Sequence, residues 1–245
     1  QGECRGVKLE DGTEIFANSG VVSSLDPYQT YLNGFEEGVL PENFLSMVRN
    51  FSFGDVTIAR IHYALNEAPR FKNGLDMDKT AFQRMFGTLS DIDKQYSEIA
   101  QGVAPSDPFL WTAAWTTMDP TRAPEGKHTL IMDTFVPVDL VNGDNWEEVA
   151  PSYIREKLLG QLRNYTTNMD DENILAEYIE TGPSLERANR CFYRGVTTGG
   201  ERTLAQMGVF RPFPNYANYR GPVKKLYMTG PSCHPGGGIS GMGTI

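Results

Sequence analysis

Residues 226 to 243 read LYMTGPSCHPGGGISGMG, with six glycines among eighteen positions directly behind an apolar run. Backbone stripped of side chains is needed where a chain bends sharply, adopts positive φ or lies against another group. Positions 226 to 229 predict a short buried strand, and the stretch from Gly236 to Gly241 formally matches Gly-x-Gly-x-x-Gly. After a strand, that pattern gives a tight turn, close approach to a pyrophosphate and a helix N-terminus aimed at negative charge. The helix and the acidic residue that complete such a fingerprint would lie beyond Ile245, and a first-strand fingerprint opens a domain whereas this one closes it. A primary phosphate site and a plain glycine tail both stay open as readings. The preceding strand and the His234-Pro235 pair favour a constrained loop.

The rest of the chain bounds what that loop can serve. At 245 residues it is long enough for one large domain or two modest ones. A formal net charge of −9 with scattered Lys and Arg argues against a nucleic-acid partner, since phosphate binding needs clustered basic residues. Cys4, Cys191 and Cys233 have no short spacing, so neither a disulfide framework nor a metal site is expected. A reducing compartment follows, cytoplasmic or an organelle matrix. No apolar run approaches the roughly 18 residues of a spanning helix, and peripheral membrane contact stays open. The sequence opens on QGECRGVKLEDGTEI without Met and stops at GMGTI; it reads as a fragment.

Periodicity places the elements. Val7 and Leu9 alternate with polar residues, Asp11-Gly12 makes a turn and Ile15 resumes the pattern, which predicts a hairpin. Positions 20 to 23 read as a strand, Asp26-Pro27 as a helix start, and 40 to 53 as a second short helix. Val56, Ile58, Ile61 and Tyr63 mark a long strand that Pro69 ends. A Ser-x-x-Asp cap opens a helix over 90 to 101, and 109 to 120 and 128 to 138 read as antiparallel strands joined by a turn at 124 to 126. The longest helical segment is 146 to 167, with Ile154, Leu158, Leu159 and Leu162 on one face. A strand, a turn at Gly182-Pro183 and a short helix follow, and then a loop-rich stretch to 225.

LYMTGPSCHPGGGISG resembles the C-terminal flavin-binding signature of the phytoene desaturase-like, or phytoene dehydrogenase-related, flavoproteins: an apolar strand, Gly, small residues, then His-Pro-Gly-Gly-Gly. GVKLEDGTEIFANSGVVSSLDP, GPSLERANRCFYRG and FRPFPNYANYRGPVKKLYMTG resemble the segments around that family's substrate domain, while 35 to 170 agrees only in character. The resemblance implies an α+β chain in which a mixed-sheet substrate domain with flanking helices, 26–220, is inserted in an incomplete Rossmann-like FAD-binding domain represented by 1–25 and 221–245. It implies FAD as cofactor, with Gly230, Ser232, His234, Pro235, Gly236, Gly237, Gly238 and Gly241 in its site. Cys233 and Pro231 depart from the family pattern. The implied activity is a dehydrogenase or desaturase removing hydride from a hydrophobic substrate to flavin. The ADP-binding fingerprint belongs to an N-terminal half or partner chain, without which the fragment is expected to be inactive; self-association is a further expectation left open. The alternative is a non-catalytic binding protein on the same scaffold.

No acid/base catalyst stands out. Neighbours in extended backbone point apart, so Cys233 and His234 are ill placed to share a proton. His62 and His128 read as structural histidines on strands, and Glu147-Glu148 and Asp170-Asp171 as solvated helix-end charges. Tyr63, Trp111, Trp115, Met118 and Phe135 fit either a core or an apolar tunnel, and Arg211-Pro212 is placed near the flavin only by its position before the signature.

Overall fold

The computed structural model describes residues 2–72 and 76–237. The chain divides into two compact units, Gln1–Gly54 with Asn189–Ile245, and Asp55–Ala188. The segments 1–25 and 221–245 lie in the first unit, which also takes in 26–54 and 189–220.

In the first unit, β1 (Gly6–Lys8) and β2 (Glu14–Phe16) form the expected hairpin, with Val7 opposite Ile15. Its turn closes because Gly12 takes φ +86° and Asp11 Oδ1 accepts from Thr13 N at 2.9 Å. β3 (Val21–Ser23) runs parallel to β9 (Leu226–Met228), pairing Val21 with Leu226. Behind β3, Asp26 Oδ1 accepts from the amides of Tyr28 and Gln29, but the turn it caps is a single π-helical one, Tyr28–Leu32. α1 (Glu42–Arg49) follows. It buries Phe44 and Val48, and Phe44 meets Tyr31, Phe213 and Tyr216 at ring distances of 4.8 to 5.7 Å.

The second unit is a five-stranded sheet whose core face is covered by the helical segment 146 to 165. Its strands β4 (Val56–Leu65), β5 (Phe82–Met85), β6 (Leu110–Ala113), β7 (His128–Pro137) and β8 (Ile174–Glu180) stand in the order β5-β6-β7-β4-β8. All of its pairings are antiparallel, which corrects the expectation of a mixed sheet; the parallel pairing sits in the first unit. The helices are α2 (Leu89–Ala100), α3 (Trp146–Tyr153), α4 (Gly160–Tyr165) and α5 (Gly182–Ala188), and a π-helical stretch, Ile154–Leu159, joins α3 to α4.

Alternation along β4 and β7 sends Ala59, Ile61, Tyr63, Leu65, Leu130, Met132 and Val136 to one face, where they pack with Trp146, Ile154, Leu158 and Leu162. Trp146 Nε1 donates to Pro137 O at 2.7 Å, so the indole is buried without an orphaned donor. Three local expectations change. α2 is capped by Thr88 with Asp91, two residues earlier than expected; Trp115–Thr117 coils into a 3-10 turn and shortens β6; and Gly182-Pro183 starts α5 instead of preceding it.

Leu162 is fully buried in this core, whereas Leu175 on β8 is half exposed. Leu162→Ala should lower stability by about 2–5 kcal/mol and Leu175→Ala by no more than about 0.5 kcal/mol, read from urea denaturation followed by tryptophan fluorescence. Equal losses would contradict the assignment of the helix-covered face as the core.

Candidate functional site

Within the first unit, the glycine-rich segment is held by a second irregular loop, 196 to 211. Leu226 and Met228 point inward from β9, and Thr229 N donates to Ser23 O at 2.8 Å, so the parallel pairing continues into the loop. The chain then reverses at Gly230, with φ +93°, and Cys233 N closes the turn onto Gly230 O at 3.1 Å. An added Cβ there would meet nothing closer than 3.5 Å, so the glycine serves the conformation and not a close approach. Ser232 Oγ donates to Gly199 O at 2.7 Å, and Pro235 O accepts from Gly208 N at 3.0 Å.

Gly237 is different: a Cβ would lie 2.5 Å from Thr198 O, a main-chain atom that has nowhere to go. Gly236, at φ +133°, would meet Met207 at 2.9 Å. Gly238 and Gly241 lie outside the described residues. Six of the eight expected residues are thus brought together on one loop, from Gly230 to Gly237, with the side chains of Ser232, His234 and Pro235 among them.

Arg211 sits at the centre and is fully buried. Nε donates to Pro231 O at 2.8 Å, Nη1 to Glu201 O at 3.0 Å and Gln206 O at 3.2 Å, and Nη2 to Thr198 O at 3.0 Å. One face of the guanidinium stands over Phe51, 5.8 Å from the ring centroid. Its acceptors among the described residues are four main-chain carbonyls and, at 3.8 Å, the Met207 thioether, so the charge is solvated by neutral groups instead of a carboxylate. Burial pushes its pKa down to about 10, far enough above neutrality to leave it a cation. Gly199 and Gly200 make room for this arrangement: Cβ atoms there would meet Pro231 at 2.6 Å and the Phe51 ring at 2.5 Å.

Two further groups complete the site. The Cys233 thiol is buried, and burial raises its pKa to about 12 against the opposing pull of Arg211. That makes it an inert neutral thiol at physiological pH. His234 Nδ1 is buried and has no hydrogen-bond partner among the described residues, with the Tyr219 ring 6.5 Å away. An orphaned buried ring nitrogen is uncommon enough to require an explanation. The Gly199-Gly200 pair and Thr198, which carry this constellation, were not among the residues expected from the sequence; the glycine doublet in a loop-rich stretch was the available signal.

The other expected positions resolve separately. Asp171 pairs with Arg155 and Arg163, Glu147 with Arg187, and Asp170 accepts from Asn173 N, as solvated or turn-forming carboxylates do. His128 Nδ1 lies 3.1 Å from Thr116 Oγ1. Tyr63 belongs to the core, Trp111 and Phe135 pack edge to face at 5.1 Å, and Trp115 and Met118 are exposed. Among the described residues no group of His, Cys, Asp and Glu could hold a metal ion, and no helix is long and apolar enough to cross a membrane.

The arrangement of helices and sheets is similar to that of a solved oxidoreductase. An oxidoreductase from Methanosarcina mazei superposes with a TM-score of 0.51 over 96% of this chain and 42% of its own, at 14% identity, which establishes likeness of fold. No protein-family profile matches the chain. It is 29% identical over 250 residues to pyridine nucleotide-disulfide oxidoreductase domain-containing protein 2 of Mus musculus, covering 98% of this chain and 42% of that protein. It is 30% identical over 233 residues to one of the limonene dehydrogenase subunits of Castellaniella defragrans, covering 90% and 42%. Carotenoid desaturases match over shorter stretches. The homologues are therefore pyridine nucleotide-disulfide oxidoreductase domain proteins and carotenoid and phytoene-type desaturases, as the terminal signature implies. The chain spans about two fifths of the length of these relatives.

Two outcomes test the site. Arg211→Met leaves several main-chain carbonyls unpaired and should cost at least about 2 kcal/mol, with Cys233 becoming reactive to a thiol reagent; Arg211→Lys should not restore the wild-type rate, because an ammonium lacks the planar fork. Cys233 ionises in the unfolded chain near its ordinary value but in the fold only near 12. Its contribution is therefore intact below pH about 9 and lost as pH rises toward 12. C233A should remove about 1 kcal/mol of the stability loss between pH 8 and 10, measured by urea midpoints at each pH.

Proposed function

We propose that the chain is part of an FAD-dependent oxidoreductase of the dehydrogenase or desaturase type, acting on a hydrophobic substrate, and that the loop from Gly230 to Gly237 forms the flavin-proximal part of the site. The observation that carries this reading is His234 Nδ1, a buried polar atom without a partner among the described residues, beside a loop bent into place by Gly230 and pinned through Ser232. When bound, the flavin would supply the acceptor for a hydride removed from a C–H bond, with the companion proton lost to solvent and the electrons passed on to an external acceptor. This chain's own residues position and desolvate. Ser232 and Arg211 fix the loop from behind, the main chain at Gly236 and Gly237 is held close to 198 and 207, and His234 offers a hydrogen bond to a polar edge of the cofactor.

The residues fit such a group in one respect and are neutral in another. His234 awaits a polar partner. The crowding at Gly236 and Gly237 comes from Met207 and Thr198, so these glycines are required by the loop itself.

The β3–β9 pair supports the second part of the reading, that an N-terminal dinucleotide-binding half or partner chain completes the domain. Two parallel strands do not make an independent sheet, because parallel pairs are found inside larger, covered sheets. The register sends the N–H and C=O of Val21 and Ser23 toward β9 and those of Val22 the other way, and the Val22 side chain is 65% exposed. That edge suits one more strand. With the complementary half supplied by the mouse or Castellaniella relative, added FAD should stay with the protein through gel filtration and give visible flavin absorbance. His234→Ala should weaken retention about tenfold, the effect of one net hydrogen bond, with the far-ultraviolet spectrum unchanged. Flavin eluting entirely as the free small molecule from a folded assembly, or full retention by H234A, would sink the reading.

A further inference from the structure

The sheet of the second unit has a face turned away from α3 and α4, and it is built unlike the core face. The register puts Ala64 of β4 beside Ala176 of β8, and His62 between Tyr178 of β8 and Ile131 of β7. Two alanines at paired positions hollow the sheet between larger neighbours. The result is a cavity of about 390 Å³ floored by these residues and walled by Trp115, within the roughly 300–1,000 Å³ range of small-molecule sites.

Arg122, 5.9 Å from the Trp115 ring centroid, Thr129 and Glu177 also line the cavity, and His62 in its lining is tied to a row of charges beyond the lining. Arg60 donates to Asp133 Oδ2 through Nε at 3.0 Å and Nη2 at 2.6 Å, and its Nη1 stands 3.7 Å from Glu180 Oε2. The same Glu180 oxygen lies 2.9 Å from His62 Nε2. A carboxylate held next to a guanidinium is acceptor only, so Nε2 must carry the hydrogen of that bond. In the neutral ring Nδ1 is then left as a lone-pair acceptor on a residue that lines the cavity.

We propose that this cavity binds an apolar small molecule that carries a hydroxyl group, the hydroxyl donating to His62 Nδ1 while the hydrocarbon body lies on Ala64, Ile131 and Ala176 against Trp115 and Tyr178. This deepens the hydrophobic-substrate part of the reading above and rests on it for biological sense, yet it draws only on residues of the second unit and requires no flavin. Glu180 acts as a positioning residue that sets the tautomer of His62. The histidine is thereby reassigned from a structural role to a recognition role.

The test uses the flavin-free chain and two probes that differ by one hydroxyl, 4-phenyl-1-butanol and butylbenzene. By isothermal titration the alcohol should bind about tenfold tighter, the effect of one net hydrogen bond. Long-range nitrogen-15 spectra, with only three histidines to assign, should show His62 as the Nε2–H tautomer and its Nδ1 resonance moving with the alcohol alone. His62→Phe should bring the two affinities together. Equal wild-type affinities, an Nδ1–H tautomer, or binding of neither probe would overturn the proposal without any variant having to fold. A preference surviving H62F would overturn it as well. Failure here leaves flavin retention unaffected, and failure of flavin retention leaves the titration unaffected, so the two readings fall separately.

Discussion

A single buried guanidinium organises the irregular half of the first unit. Residues 196 to 211 and 229 to 237 form no ladder that would pair their carbonyls, and a buried unpaired carbonyl costs as much as a lost hydrogen bond. Arg211 solves this with a fixed planar fork: it collects carbonyls from 198, 201 and 206 of one loop and 231 of the other. The same bonds solvate the charge. Burying a cation is costly unless dipoles replace water, and here the carbonyls that need donors and the cation that needs acceptors satisfy each other. Lysine would supply charge without the geometry. The glycines at 199 and 200 follow from this centre, since the space their side chains would need is occupied by Pro231, Phe51 and Arg211 itself.

The second unit meets the same backbone requirement by regular pairing, and that frees its side chains for other work. With all its pairings antiparallel, alternate residues separate cleanly onto two faces. One face carries the aliphatic core against α3, the π-helical stretch and α4. The other carries aromatic rings, with Arg84 stacked 4.8 Å over Trp111, and the charged row from Asp133 to His62. A strand buried on both faces would read as a continuous apolar run. β4 instead places Arg60 and His62 between Ala59, Ile61 and Tyr63, so the two-faced character is written in its alternation.

What the sequence disclosed depended on how local the determining physics is. β4, β7, the first hairpin and α2 follow from period and turn chemistry within a dozen residues, and each lies within a few residues of its expected place. β5 was not anticipated, because Phe82–Met85 is four residues long and becomes a strand only through its pairing with β6. Of the antiparallel pairings only that of β6 with β7 was legible, through the turn between them; β4 pairs with β7 and β8, which lie far along the chain, and direction there is a property of neighbours in space. In the site, the signature residues were visible as a motif, while Arg211 was placed by sequence position alone. Its carbonyl partners leave no trace in residue type, because any residue carries a carbonyl.

The glycines of the terminal signature have more than one cause, and separating them shows what each of them serves. Gly230 is needed for φ, in space that is otherwise open. Gly237 is needed for space, against main chain at 198, and Gly236 for both φ and space. All three demands come from the protein, so these glycines establish a constrained loop without themselves pointing to a ligand. His234 does what they do not: its Nδ1 is removed from water with nothing in the described fold to bond it. Among the described residues the fold satisfies the carbonyls around Arg211 and leaves this one imidazole nitrogen unpaired. That unpaired nitrogen, not the number of glycines beside it, is the feature from which the proposed cofactor reading follows.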